Sequence, residues 1–232
     1  MVLQWIILIL LAFLPPLLYM IWIRNTERYH REPWLPVLVC FTWGATLAVV
    51  ASLFLEQILG ISLAATLGSA SLYAFAMAVI VAPIVEEFTK PLALRFDIVR
   101  RELVEIEDGF IYGAAAGLGF SATENLFYEI SFLDEGIAFF ILLVVLRTIG
   151  ACLLHASATA LTGYGYGCTL LRRKACVLRY FALAILVHAS YNFMVSFQIS
   201  GIAVGVGFAL LFSLFAISWV RGRIKAFDRR HP

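Results

Sequence analysis

The chain has 232 residues, of which 62% are hydrophobic and 14% are charged, and its mean hydropathy is +0.94. Soluble globular domains contain roughly 25% charged residues, so this composition excludes a water-soluble fold. The net charge is only +2, and the basic residues lie in short clusters between apolar runs, which excludes nucleic acid as a partner. The four cysteines have no C-x-x-C spacing and predict neither a disulfide framework nor a zinc knuckle.

Seven apolar runs are each long enough to cross a bilayer, which takes about 20 residues in a helix. They cover residues 2–23, 35–55, 71–90, 109–127, 137–171, 177–197 and 202–220. The polar stretches between them are too short for a separate soluble domain. We therefore predict an all-α, polytopic integral membrane protein with about seven transmembrane helices, in which residues 1–232 form one membrane-embedded domain.

The positions of the basic residues predict the orientation in the membrane. Clusters of arginine and lysine follow the first, third and fifth runs and close the sequence, whereas Arg147 alone lies outside these segments. The positive-inside rule then places the N-terminus outside and the C-terminus in the cytoplasm. The 137–171 run would be about 52 Å long as a helix. Dividing it into two crossings, for eight in total, would reverse the membrane orientation of every later segment. We expect one crossing over 150–171, preceded by a tilted, interfacial or re-entrant piece.

Two adjacent acids lie within the third apolar run, where each charge costs at least ~2.5–3.5 kcal/mol. Glu86 and Glu87 are followed by Lys90, whose amine can reach either carboxylate from three or four residues away. An ion pair that marks the end of the helix is one interpretation. The pairing of two acids in a run otherwise free of charge favours another, in which Glu86 is a general base and Lys90 holds the acid pair.

The fourth run carries small or short polar residues at steps of four. They are Gly109, Gly113, Gly117, Ser121 and Asn125. This small-residue stripe predicts that the backbone of a neighbouring helix approaches closely. Glu124 lies beside the stripe, so we expect it to be held against protein rather than lipid. The alternative is an outer helix end at which Glu124 hydrogen-bonds through Asn125 and Tyr128.

Histidines lie on two later runs. His188 and Asn192 share one helical face, and His155 lies on the preceding run. With the acids they offer a carboxylate to accept a proton, an imidazole to orient water or protonate a leaving group, and an amide to stabilise an oxyanion. They are also ligand types for a divalent metal, although H-E-x-x-H is absent. A proton-coupled transporter that uses the Glu/His cluster and a catalytically silent scaffold that binds transmembrane helices are the alternatives.

Three motifs in order resemble those of the PrsW family of intramembrane proteases. Residues 86–90 match E-E-x-x-K, residues 120–124 match F-x-x-x-E, and His188 with Asn192 supplies the histidine motif. The motif core covers about residues 80–197. The similarity extends more distantly to the CAAX-prenyl-protease and bacteriocin-processing membrane proteases, in which a histidine stands at the position of Glu124.

The resemblance implies a membrane-embedded endopeptidase of a prokaryotic cell membrane, whose partners are the lipid bilayer and a membrane protein or peptide substrate. In the family the best-known activity is the first cut, at site 1, in a membrane-bound anti-sigma factor. The implied catalytic residues are Glu86, Glu87, Glu124, His155 and His188, and the supporting residues are Lys90, Asn125 and Asn192. Both a metal-free glutamate mechanism and one divalent metal such as Zn²⁺ remain open. The candidate metal ligands are His155, His188, Glu86 and Glu124.

Overall fold

The computed structural model describes residues 2–172, 175–196 and 202–229. Within those ranges it contains helices and turns but no strand, which confirms the predicted all-α class. The helices are α1 (Val2–Arg24), α2 (Trp34–Thr66), α3 (Ala70–Arg95), α4 (Asp97–Arg100), α5 (Asp108–Ser131), α6 (Ile137–Arg172), α7 (Val177–Ser196) and α8 (Ile202–Asp228).

Six helices in the described ranges are long and apolar enough to cross a membrane. They are α1, α2, α3, α6, α7 and α8. The polytopic membrane fold is therefore confirmed, whereas the count of seven is not, because the predicted 109–127 segment lies in α5, which is not among the six. Glycines and the Glu124-Asn125 pair make α5 less apolar, and most of its residues are buried among the other helices. The last residue of the predicted 177–197 segment, Phe197, lies outside the described residues.

Helix α6 is continuous over 36 residues. Its first part is helical, so the run neither divides into two crossings nor contains a re-entrant loop. At 1.5 Å per residue the helix is about 54 Å long, which exceeds the ~30 Å thickness of a hydrocarbon core. Gly136 precedes it with a φ of 97°, a backbone conformation that favours glycine, and this sets the sharp turn into α6.

Helix α5 packs with one face against α6 and with the other against α1 and α2. A Cβ atom at Gly113 would overlap the carbonyl oxygen of Thr159, and one at Gly117 would overlap that of His155. The predicted close approach at the small-residue stripe is thus confirmed. Because the two backbones touch, His155 of α6 lies directly beside Glu124 of α5.

Three long helices each contain one π-helical turn. These turns are Gly44–Ala48 in α2, Met77–Val81 in α3 and Arg147–Ala151 in α6. A π turn widens the helix locally and is often found at functional sites. The last two of these turns contribute residues to the same cavity, which is described next.

Candidate active site

Four helices bring the sequence-predicted residues together. Helix α3 carries Glu86, Glu87 and Lys90 just where it tightens into a 3₁₀ turn over Lys90–Arg95. Helix α5 carries Glu124 and Asn125, α6 carries His155, and α7 carries His188 and Asn192. Glu86, Glu87, Lys90, His155 and His188 are all buried.

Glu87 is fully buried and is held by three partners. Its Oε1 lies 2.9 Å from Lys90 Nζ and 2.9 Å from His188 Nδ1, and its Oε2 accepts a hydrogen bond of 2.9 Å from Thr159 Oγ1. An ionised carboxylate only accepts hydrogen bonds, so Nδ1 of His188 carries the proton. The lone pair of His188 Nε2 is therefore free, and it lies 3.9 Å from Oε2 of Glu86.

Lys90 lies between the acid pair and the first histidine. Its Nζ is 2.8 Å from Glu86 Oε2 and 2.8 Å from His155 Nδ1. Because an ammonium group only donates, Nδ1 of His155 accepts, and Nε2 carries the proton that it donates to Glu124 Oε2 at 2.8 Å. Glu86 Oε2 makes the ion pair with Lys90, but it accepts no well-directed hydrogen bond from the described residues.

Arg147 is a site residue that the sequence analysis did not select. Its Nη2 donates to Glu124 Oε2 at 2.8 Å, and its Nε donates to Asn125 Oδ1 at 2.7 Å. The guanidinium also lies 3.9 Å from the centre of the Tyr128 ring. The signal was present in the sequence, because a lone basic residue within an apolar run needs a buried partner.

A cavity of about 360 Å³ opens beside these side chains. Its walls include Glu86, Glu124, Arg147, His155 and His188. Asn192 also lines the cavity, but its Nδ2 donates to the carbonyl oxygen of Ala78 in the π turn of α3 at 2.8 Å. Glu87 and Lys90 lie behind the wall, where they hold the groups that face the cavity.

Comparison with known proteins identifies the family of the chain. The family model of the PrsW family intramembrane metalloproteases matches residues 32–220. The chain belongs to the PrsW family. It is 34% identical over 125 residues to Protease PrsW of Clostridioides difficile (strain 630), a match that covers 53% of this chain and 51% of that protein. The chain thus spans about half the length of this curated relative, and no solved structure matches it.

The residues also fit the metal that the description of the PrsW family implies. One ligand atom from each of Glu86, His155 and His188 lies within 4.8 Å of the others. Two nitrogens and a carboxylate oxygen are a zinc-type donor set. His188 donates its other N–H to Glu87, an arrangement typical of metal-bound histidines. Glu124, the fourth predicted ligand, is not in this group of atoms; its Oε2 lies 2.8 Å from both Arg147 Nη2 and His155 Nε2.

Proposed function

We propose that this chain is a membrane-embedded endopeptidase that hydrolyses a peptide bond of a membrane-associated protein in the cavity beside Glu86. The observation that carries the proposal is the convergence of Glu86, His155 and His188, buried and within 4.8 Å of one another, at the wall of a 360 Å³ cavity. Membership of the PrsW family supports the reaction class.

Glu86 is the general base in this proposal. Its Oε2 and the lone pair of His188 Nε2 are both hydrogen-bond acceptors, and they lie 3.9 Å apart. A water molecule at about 2.8 Å from each fits between them and donates one hydrogen to each. Glu86 takes the proton of this water as it attacks the scissile carbonyl, and the same proton then passes to the leaving amine. Glu87 keeps His188 in the tautomer that this geometry needs.

The developing oxyanion has two sources of stabilisation at the cavity wall. The Arg147 guanidinium has five N–H donors, of which two bind Glu124 and Asn125. The Asn192 amide has a second N–H beyond the one that binds Ala78. Cationic and amide donors that are already fixed in place stabilise a developing negative charge without reorganisation.

We further propose a metal-dependent form of the mechanism as the alternative to the metal-free one, in which Glu86, His155 and His188 would hold one divalent metal such as Zn²⁺ and Glu86 would be a ligand rather than the free base. Such a metal, when bound, polarises a carbonyl and activates water. The free lone pair of His188 Nε2 and the family's description as metalloproteases support this form of the mechanism. His155 would offer Nδ1 as a ligand only if Lys90, now 2.8 Å from that atom, released it.

For the substrate we propose a membrane-bound anti-sigma factor, cut at site 1 on the extracytoplasmic side. The support for this is the resemblance of the three motifs to the PrsW family. The chain would lie in a prokaryotic cell membrane with its N-terminus outside and its C-terminus in the cytoplasm. This orientation needs an odd number of crossings, so the proposal includes α5 as a crossing in addition to the six long apolar helices. The distribution of basic residues supports it.

The test uses purified protein reconstituted in vesicles with a tagged, single-span anti-sigma factor. We expect wild-type protein to cut it, and Glu86→Gln and His188→Ala to reduce the rate by about 100-fold or more while circular dichroism still reports a helical fold. Glu102→Gln removes the same charge at an exposed position and should leave the rate unchanged. A wild-type rate in Glu86→Gln would reject the site. Cleavage of other single-span proteins but not of the anti-sigma factor would reject only the substrate.

A further inference from the structure

Three acidic side chains meet at the end of α5 that is remote from Glu124. Glu27 and Glu32 come from the loop between α1 and α2, and Asp108 is the first residue of α5. One carboxylate oxygen from each lies within 4.8 Å of the others, and all three residues are buried. Asp108 and Glu124 are about 24 Å apart along the helix axis, so this acidic cluster is separate from the candidate active site.

Two members of the acidic cluster are held in place by other groups. Glu32 Oε2 accepts a hydrogen bond from the hydroxyl of Tyr112. Asp108 Oδ2 accepts hydrogen bonds from the backbone N–H groups of Val104 and Glu105, at 2.8 and 2.6 Å. These contacts aim the two carboxylates at a common point.

Glu27 is the third member, and its carboxylate forms no ion pair with a described residue. The residue is 0% exposed, and neither of its carboxylate oxygens accepts a well-directed hydrogen bond from the described part of the chain. Arg24 at the end of α1 and Arg31 of the loop form no ion pair with Glu27, because Arg24 Nε donates to the carbonyl oxygen of Glu32 and Arg31 Nε donates to that of Glu27. A buried carboxylate without a counter-charge is strongly unfavourable.

The surrounding charges increase this imbalance. The carboxylates of Asp108, Asp228 and Glu107 are close enough to act electrostatically on Glu27. Among the described residues no basic side chain forms an ion pair with any member of the cluster. The site therefore presents several carboxylate oxygens, two of them held in place by other groups, with no basic side chain of the described residues paired to them.

We propose that Glu27, Glu32 and Asp108 bind a hard divalent cation, Mg²⁺ or Ca²⁺, at a second site distinct from the active site. All the donors are oxygens, which these two ions prefer, and the set lacks the nitrogen and sulfur ligands typical of zinc. The bound cation fastens the α1–α2 loop to the start of α5. The same loop is joined to α8, because Asp228 accepts hydrogen bonds from the N–H groups of Arg28 and Tyr29.

The test measures thermal unfolding of the purified full-length chain in detergent, after treatment with a chelator, with Mg²⁺ or Ca²⁺ added alone. We expect Tm to rise by about 5 °C or more at a cation concentration near 100 times Kd. Glu27→Gln should abolish this rise. Glu102→Gln, an exposed acid between α4 and α5, should keep it, and so should the double variant Glu86→Gln/His188→Ala, which lacks two active-site donors.

A second measurement covers the case in which Glu27→Gln does not fold. Tb³⁺ is an oxygen-seeking probe, and Tyr112 lies within hydrogen-bond distance of Glu32 as a donor for its sensitised emission. We expect emission that Ca²⁺ or Mg²⁺ displaces and that is lost in Glu32→Gln. The proposal is overturned if neither ion raises Tm or displaces Tb³⁺, or if the effect persists in the cluster variants and disappears in the active-site double variant. Neither measurement depends on proteolysis, so the result for the cation site is independent of the result for the active site.

Discussion

Lys90 Nζ lies 2.8 Å from His155 Nδ1 and within 2.9 Å of a carboxylate oxygen of both Glu86 and Glu87. The ammonium group therefore sits on the edge of the imidazole that a metal ion would use. It also neutralises the acid pair, and all three side chains are buried. Lys90 and a metal are thus alternative sources of positive charge for the same carboxylates.

Replacement of Lys90 by methionine should destabilise the metal-free protein. It leaves the buried Glu86 and Glu87 without their cation, which typically costs about 3–5 kcal/mol. Thermal unfolding in chelator should show a lower Tm than wild type, and added Zn²⁺ should recover part of the loss. Lys225→Met changes an exposed lysine and serves as the control. Equal Tm values for Lys90→Met and wild type would contradict the buried ion-pair geometry.

Removal of metal should abolish proteolysis. Because Glu86, His155 and His188 form the donor set, we expect activity to disappear in chelator and to return with Zn²⁺, and elemental analysis to find close to one zinc ion per chain. His188→Ala should lose the ion. Full activity in a preparation without bound metal would reject the metal-dependent mechanism and leave the glutamate mechanism of Glu86.

Gly117→Ala should separate α5 from α6. The added methyl group would overlap the carbonyl oxygen of His155, so the backbone of α6 has to move, at a cost of about 1–3 kcal/mol. The 2.8 Å contact between His155 and Glu124 would lengthen, and the cleavage rate should fall. The matched control is Gly222→Ala in α8, where the methyl group meets open space and a gain of about 0.5–1 kcal/mol is expected. Unchanged Tm and rate in Gly117→Ala would show that the helices are less closely packed.

The orientation in the membrane can be measured by protease protection. In sealed cells, a tag at the C-terminus should be shielded from an external protease. A tag inserted between Asp134 and Glu135, in the exposed turn before α6, should be digested. These outcomes follow from the basic residues that lie on the predicted cytoplasmic side. The reverse pattern would invert the topology of the whole chain.

The sequence predicted most of the framework of the site because its signals are local. Apolar runs identified the long helices, and small residues at steps of four identified the face of α5 that meets α6. Charged residues within those runs were few, and burying one is costly, so Glu86, Glu124 and His155 stood out without any knowledge of the fold.

The remaining features depend on contacts between distant parts of the chain. Arg147 was noted as an exception to the orientation rule and as a charge near the end of an apolar run, but it was given no role, because its pairing with Glu124 requires the turn between α5 and α6. Glu27 and Glu32 lie in the loop between α1 and α2, and the sequence analysis used only the arginines of that loop, to predict the membrane orientation. Neither the spacing nor the composition of the sequence predicts that these two residues lie close to Asp108, which follows them by about 80 residues.

The contacts of Asp228 with the first loop impose an order on how the protein matures. Its oxygens accept from the N–H of Arg28 across 200 positions of sequence, and Arg221 Nε donates to Thr26 Oγ1 at 2.8 Å. At a synthesis rate of roughly 5–20 residues per second, the loop emerges about 10–40 seconds before its partner exists. The first helices are therefore in the bilayer before the contacts between the α1–α2 loop and α8 can form. Nascent chains stalled before α8 should be cut by protease near Arg28, whereas the finished protein should resist.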